Sequence, residues 1–125
     1  MKQHNSGFIK IAEEARKMIE EISIDEVNQW MQEKRKFHLV DVREDNEWDA
    51  GFIPNAKHIG KGVIERDIET TIPEKNESIV LYCGGGYRSA IAAKALQDMG
   101  YQKVLSMAGG FRGWQQSGFP IAQEK

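Results

Sequence analysis

A glycine-rich stretch around the single cysteine carries the residues best suited to chemistry. Cys83 is the only cysteine among 125 residues, and it stands where an apolar run ends and a helical pattern begins, which predicts a strand-to-helix turn. The free N–H groups and the positive dipole end of a helix favour a thiolate over a thiol. Three glycines let such N–H groups converge, and Arg88 adds a permanent positive charge. The stretch therefore predicts a loop that holds a nucleophilic sulfur and a small anion.

The loop residues after Cys83 form the candidate substrate-binding set, although each also has a structural interpretation. They are Gly84, Gly85, Gly86, Tyr87, Arg88 and Ser89. A lone cysteine is often inert core, but the glycines, the arginine and the helix start favour catalysis by Cys83. Ser89 is either the N-cap of the helix or a catalytic hydroxyl, and Tyr87 is either a pocket wall or an exposed rim. Arg88 is predicted to contact an anionic substrate.

Hydrophobic spacing in the rest of the chain indicates an α/β fold. Helices are predicted over residues 8–20, from the capping box of Ser23 and Glu26 onward, near 64–72 and over 89–99, and strands over 37–42, 58–59, 79–82 and 104–107. The polar stretch 43–57 is predicted to be turns and loop. Because helices and strands alternate, the sheet is expected to be mainly parallel.

Two further segments are predicted to lie at the ligand-binding edge of this sheet. In a parallel sheet, the loops after the strand carboxyl ends gather on one edge, where ligands bind. That edge would collect Asp41 and Arg43, the loop from Cys83 to Arg88, and the turn at Gly109-Gly110. Asp41 and Arg43 are expected to support the site by orienting loops through polar pairs, with Glu47 as a candidate partner of Arg43.

The chain is predicted to form one domain over residues 21–125, preceded by an amphipathic helical extension over residues 1–20. The predicted apolar face of this helix consists of Ile11, Ala15, Met18 and Ile22, which recur at helical spacing. The helix serves either to pack against the domain or to contact a partner protein.

Composition argues against several function classes. The chain has 17 basic and 19 acidic residues and a net charge of -2, so nothing indicates a nucleic-acid or membrane surface. No apolar run approaches the roughly 20 residues that cross a bilayer, and no signal-peptide pattern is present, so we expect a cytoplasmic protein. Nothing in the pattern demands more than a monomer, which is the expected state. One cysteine excludes an intrachain disulfide, and three scattered histidines offer no metal-ligand spacing. We therefore expect neither metal nor organic cofactor.

Three separated segments together resemble the rhodanese superfamily of sulfurtransferases. They are Asp41-Val42-Arg43 with Glu47-Trp48, residues 51–56 and His58-Ile59; the loop 82–89; and Gly109-Gly110-Phe111 with Trp114, Gly118 and Pro120. The resemblance spans about residues 22–121 in the family's order. It implies a rhodanese-like α/β fold, in which helices flank both faces of a central, mostly parallel, five-stranded sheet.

The resemblance also implies a reaction. Cys83 matches the catalytic cysteine of the family, which accepts a sulfane sulfur and becomes a persulfide. The loop from Gly84 to Arg88 would supply the backbone donors that hold this sulfur. A single-domain rhodanese transfers sulfur from thiosulfate, a persulfide or a polysulfide to a thiol or another thiophilic acceptor, including a protein.

Two other functions stay open at this point. Cysteine phosphatases and arsenate reductases also use a thiolate in an anion loop, but their pattern sets five residues between cysteine and arginine. Only four residues separate Cys83 from Arg88, which suits one sulfur atom better than a tetrahedral phosphate. A non-catalytic persulfide carrier or sensor that docks a partner protein would keep the same loop, so the sequence does not separate it from an enzyme.

Overall fold

The computed structural model describes residues 5–123, in which helices and strands alternate along the chain. The strands are β1 (Glu20–Ile22), β2 (His38–Asp41), β3 (Lys57–His58), β4 (Ser78–Tyr82) and β5 (Lys103–Met107). The α-helices are α1 (Ser6–Arg16), α2 (Ile24–Gln32), α3 (Asp45–Ala50), α4 (Ile64–Thr71), α5 (Tyr87–Asp98) and α6 (Gly110–Gln116), and a 3-10 turn, Lys61–Val63, precedes α4. No helix within the described range combines the length and apolar character needed to cross a bilayer.

The five strands form one sheet in the order β1-β5-β4-β2-β3. Every neighbouring pair is parallel, which confirms the expected α/β fold with a five-stranded sheet. The register places Asp41, the last residue of β2, beside Tyr82, the last residue of β4. The segments that follow these two residues, which carry Arg43 and Cys83, therefore leave the sheet at the same edge.

Helices cover both faces of the sheet, as the alternation of side chains along β4 makes clear. Ile79 and Leu81 belong to one core cluster, whereas Val80 and Tyr82 belong to the other, because successive side chains of a strand point to opposite faces. All four side chains are fully buried. Burial of each of the three aliphatic side chains contributes about 1.5–3 kcal/mol, which favours the central position that β4 occupies in the sheet. The first cluster includes residues of α4 and α5, and the second includes residues of α2 and α6.

The N-terminal helix differs from its prediction in length and in the face that it buries. It ends at Arg16, and the segment Glu20–Ile22, predicted to lie at or beyond the end of this helix, instead forms strand β1 at the edge of the sheet. Ile11 and Met18, predicted on the apolar face, are 57% and 63% exposed. The buried residues of the helix are Ala12 and Ala15, and α1 packs against α5. Small side chains let two helices approach closely, so the contact face is marked by alanine rather than by the larger apolar residues.

Helix α3 occupies part of the stretch that was predicted to be loop. It has no buried residue, and it is closed at its start by a reciprocal capping box between Glu44 and Glu47. Without an apolar face, such a short helix gives no periodic signal in the sequence. The helix matters for the site because it positions Glu47 near the loop that follows β4.

Candidate active site

The cysteine loop joins the carboxyl end of β4 to the start of α5. Helix α5 begins at Tyr87, and its N-cap is Gly86, whose φ of 101° lies in the left-handed region that favours glycine. The alternative in which Ser89 caps the helix is therefore wrong, because Ser89 lies inside the first turn. Because α5 begins at Tyr87 rather than after Ser89, the backbone N–H groups at its start face the cysteine side chain.

Two backbone N–H donors and one hydroxyl surround the sulfur of Cys83. The backbone N–H of Gly86 donates to Sγ at 3.1 Å, and the backbone N–H of Ser89 donates at 3.4 Å. The Ser89 hydroxyl lies 3.5 Å from Sγ and 2.8 Å from the hydroxyl of Ser106 on β5. Both serines are fully buried. N–H groups directed at one atom stabilise negative charge on it, so this arrangement suits a thiolate or a persulfide anion.

The start of α6 fixes the loop from the other side. The N–H of Phe111 donates to the carbonyl of Cys83 at 2.7 Å, and the N–H of Arg112 donates to the carbonyl of Gly84 at 3.1 Å. Gly110 has a φ of 59°, and a Cβ placed on it would lie 2.5 Å from the Cys83 carbonyl oxygen. Only glycine allows the two backbones to come this close. The turn at Gly109-Gly110 therefore meets the cysteine loop, and the two form one unit.

A pocket of about 180 Å³ opens over the sulfur. The loop contributes Cys83, Gly85, Tyr87 and Arg88 to its lining, and the other lining residues are Phe8, Glu47 and Arg112. Phe8 and Arg112 were absent from the predicted site, and Glu47 was predicted only as a partner of Arg43. Arg112 was within reach of sequence analysis, because it follows the glycine turn predicted at the same edge. Phe8 was not within reach, because nothing in the local sequence shows that α1 passes the pocket. The ring centre of Phe8 lies 6.0 Å from the ring centre of Tyr87.

Arg88 lies in the pocket but is paired with a carboxylate. Its guanidinium donates to the two oxygens of Glu47 at 2.7 Å and 3.0 Å. The Arg88 hydrogen bonds lower the pKa of Glu47 to about 2, against an opposing effect of burial. The same contact raises the pKa of Arg88, and the Cys83 sulfur acts in the same direction. The expectation that Glu47 would pair with Arg43 is wrong, because Glu47 pairs with Arg88.

Asp41 and Arg43 form a buried ion pair behind the loop. The Arg43 guanidinium donates to Asp41 at 2.8 Å and to the carbonyl of Gly51 at 2.6 Å. It also lies 4.1 Å from the ring centre of Phe111, the residue whose N–H holds the Cys83 carbonyl. Removing one partner of such a pair leaves a buried charge and costs about 3–5 kcal/mol. The pair thus ties the segment after β2 to the turn that supports the cysteine loop.

Across residues 5–123, no group of three or more histidine, cysteine, aspartate or glutamate side chains is arranged to hold a metal ion. The absence of a metal or organic cofactor stays a prediction from the sequence.

Comparison with known proteins places the chain in a family. Residues 23–117 match the family of the rhodanese-like domain. The chain is 35% identical over 97 residues to the putative sulfurtransferase YtwF of Bacillus subtilis, with 78% of this chain and 91% of YtwF covered. A sulfurtransferase of Allochromatium vinosum is 33% identical over 104 residues, with 83% and 95% covered. The putative sulfur carrier protein YrkF of Bacillus subtilis is 31% identical over 96 residues, but these cover 77% of this chain and only 51% of YrkF, about half its length.

Solved structures of similar proteins share the fold. A Rhodopseudomonas palustris protein of unknown function, described as a possible tyrosine phosphatase, superposes with a TM-score of 0.87 at 31% identity and covers 98% of this chain and 99% of its own. A rhodanese-like domain protein of Staphylococcus aureus superposes with a TM-score of 0.76 at 31% identity, with 86% of this chain and 100% of its own covered. Together with the matched domain, these similarities show that the chain belongs to the rhodanese-like domain family, among relatives named as sulfurtransferases and sulfur carriers.

Proposed function

We propose that the protein is a sulfurtransferase that carries a sulfane sulfur as a persulfide on Cys83. The observation that carries this proposal is the convergence of the Gly86 and Ser89 N–H groups on the cysteine sulfur at the base of a pocket. The side chain is only 1% exposed, so a small donor reaches the sulfur through the pocket. Backbone donors cost no reorganisation when charge forms, which is the condition for electrostatic stabilisation of the reacting anion.

The proposed reaction has two half-reactions. In the first, the Cys83 thiolate attacks the outer sulfur of thiosulfate, the sulfur–sulfur bond of the donor breaks, and sulfite leaves with the electron pair. In the second, an acceptor thiolate attacks the outer sulfur of the Cys83 persulfide and restores the cysteine thiolate. Persulfide or polysulfide donors would load the same atom and release a thiolate or a shorter polysulfide. Such covalent catalysis predicts ping-pong kinetics.

The residues of the loop take distinct roles in this proposal. Gly86 and Ser89 hold the sulfur through their N–H groups, and the Ser89 hydroxyl adds a third contact. Gly85 and Tyr87 form part of the pocket wall, and Gly84 and Gly85 leave room for the Arg112 guanidinium against the loop. Arg88, held by Glu47, lines the pocket beside the sulfur. Asp41 and Arg43 support the loop from behind.

Intact-protein mass spectrometry tests the proposal directly. The reduced protein is treated separately with thiosulfate, polysulfide and glutathione persulfide. We expect a gain of one sulfur atom that a reductant reverses and that peptide mapping assigns to Cys83. The Cys83→Ser variant should gain none under the same conditions. Failure of all three donors to load the wild-type protein would refute the proposal.

A second candidate function is that of a persulfide carrier, and the similarity to YrkF, named a putative sulfur carrier protein, supports it. Both functions predict loading of Cys83, so the discharge step separates them. Repeated turnover with cyanide or a small thiol as acceptor would support an enzyme. Stoichiometric loading followed by slow discharge to every small acceptor would support a carrier that requires a protein partner.

The phosphatase alternative has its own test, since one structural neighbour is described as a possible tyrosine phosphatase. The four-residue spacing between Cys83 and Arg88 argues against it. Hydrolysis of an aryl phosphate by the wild-type protein, abolished by Cys83→Ser, would establish phosphatase activity. We expect no such hydrolysis.

A further inference from the structure

Arg112 places a second guanidinium against the cysteine loop. Its Nη1 atom lies 3.6 Å from the position that a Cβ on Gly84 would occupy, and a Cβ on Gly85 would overlap Nη2. The two glycines thus let the planar guanidinium rest on the loop backbone. Arg112 lies on α6, is exposed, and lines the pocket together with Cys83.

The two arginines of the pocket differ in their partners. Arg88 is bound by both oxygens of Glu47, so its charge is largely balanced before any ligand arrives. Within residues 5–123, Arg112 takes part in none of the ion pairs. An anion that approaches the Cys83 thiolate must overcome repulsion between like charges, and a nearby unpaired cation offsets that repulsion.

We propose that Arg112 binds the anionic end of the sulfur donor, while Arg88 stays paired with Glu47. This inference rests on the proposed function for the identity of the donor, which would be a small oxyanion such as thiosulfate or an organic persulfide that bears a carboxylate. A guanidinium presents parallel N–H groups that match the two oxygens of a sulfonate or a carboxylate. The donor then lies with its charged end toward α6 and its outer sulfur toward Cys83.

Alkylation of Cys83 tests the inference without any sulfur transfer. Iodoacetate and iodoacetamide react with a thiolate by the same displacement of iodide, which forms a carbon–sulfur bond, but only iodoacetate carries a negative charge. Because the chain has one cysteine, each reagent modifies one site. The ratio of the iodoacetate rate to the iodoacetamide rate therefore reports attraction of an anion, and it cancels changes in thiolate reactivity that affect both reagents.

We expect the Arg112→Gln variant to lower this ratio about tenfold, which corresponds to about 1.4 kcal/mol. Arg112→Lys should restore part of it, because it keeps the charge and loses the planar pair of donors. Arg66→Gln is the matched control, since Arg66 is an exposed arginine on α4 outside the pocket. That variant removes the same net charge and should leave the ratio unchanged.

Two results would overturn the inference. One is an unchanged ratio in Arg112→Gln, and the other is an equal loss in Arg112→Gln and Arg66→Gln, which would show a general effect of net charge. A lowered ratio in a protein that no donor loads with sulfur would uphold the anion site and refute the proposed function. Failure of the anion site and failure of the proposed function are therefore distinguishable.

Discussion

Arg88 donates hydrogen bonds to both carboxylate oxygens of Glu47, at 2.7 Å and 3.0 Å. The bond joins the first turn of α5 to the short helix α3, which is 41 residues earlier in the chain. It decides how much positive charge the pocket offers to an anion, because a bidentate pair of this kind holds the guanidinium in place. It also makes Glu47 part of the site, where its role is to bind Arg88.

Glu47→Gln should strengthen the binding of anionic donors. The substitution removes a negative charge from the pocket and releases Arg88, so we expect the KM for thiosulfate to fall about threefold to tenfold. Steady-state kinetics with a fixed thiol acceptor measures this. Glu65→Gln, on the exposed side of α4, is the control of equal charge and should not change KM. A higher KM in Glu47→Gln would contradict this prediction and show that donor binding requires the intact ion pair.

The pair should also make stability depend on acid pH. The pKa of Glu47 in the folded protein is about 2, below its ordinary value of 4.5. A lowered carboxyl pKa means that the pair stabilises the fold fully above about pH 4.5 and that this contribution disappears as the pH falls toward 2. The free energy of unfolding of the wild type should therefore exceed that of Glu47→Gln at neutral pH. Urea unfolding of both proteins at several pH values should show the gap closing below pH 4.5, and a gap independent of pH would contradict the assignment.

Gly110→Ala should damage the cysteine loop from a distance. The alanine would have to adopt a positive φ, and its Cβ would strike the backbone at Cys83 and Gly84. We expect a loss of at least about 2 kcal/mol in the free energy of unfolding and, in the protein that remains folded, slower alkylation of Cys83 by iodoacetamide. Gly62→Ala is the matched control, because a Cβ there meets nothing within 4 Å and should change stability by less than about 0.5 kcal/mol. An unchanged rate of Cys83 alkylation in Gly110→Ala would contradict this prediction, because it would show that the loop accommodates the added Cβ.

Phe8→Ala should alter the choice of donor rather than the chemistry. Phe8 and Tyr87 give the pocket an aromatic edge, which favours a donor with an apolar group. Loss of this contact, worth about 1 kcal/mol, should lower the preference for benzenethiosulfonate over methanethiosulfonate about fivefold. Ile11→Ala is the control, because Ile11 lies on the same helix and is 57% exposed. An equal effect of both variants would show that the change in donor preference comes from lower stability of α1 and not from the pocket.

The sequence identified those parts of the fold that depend on local pattern. The capping box of Ser23 and Glu26 was predicted and is present, and the buried strands β2, β4 and β5 lie where apolar runs indicated them. Each of these elements is indicated by its own residues, either the pair that forms a capping box or a run of apolar side chains that is stable only when buried. Strand β1 carries no such signal, because only Ile22 of its three residues is buried and its pairing with β5 is specified by residues more than eighty positions away.

For the site, the sequence by itself identified the candidate nucleophile, Cys83, and the glycine loop that follows it. Cys83, the three glycines and the helix start are consecutive, so their proximity follows from covalent connection and the free N–H groups of a helix end. Only the tertiary structure decided what surrounds them. Phe8 comes from the first helix, Glu47 from a helix without a buried face, and Arg112 from the last helix. The charge balance of the pocket and the shape of its mouth depend on packing between elements remote in sequence, and no local pattern encodes that packing.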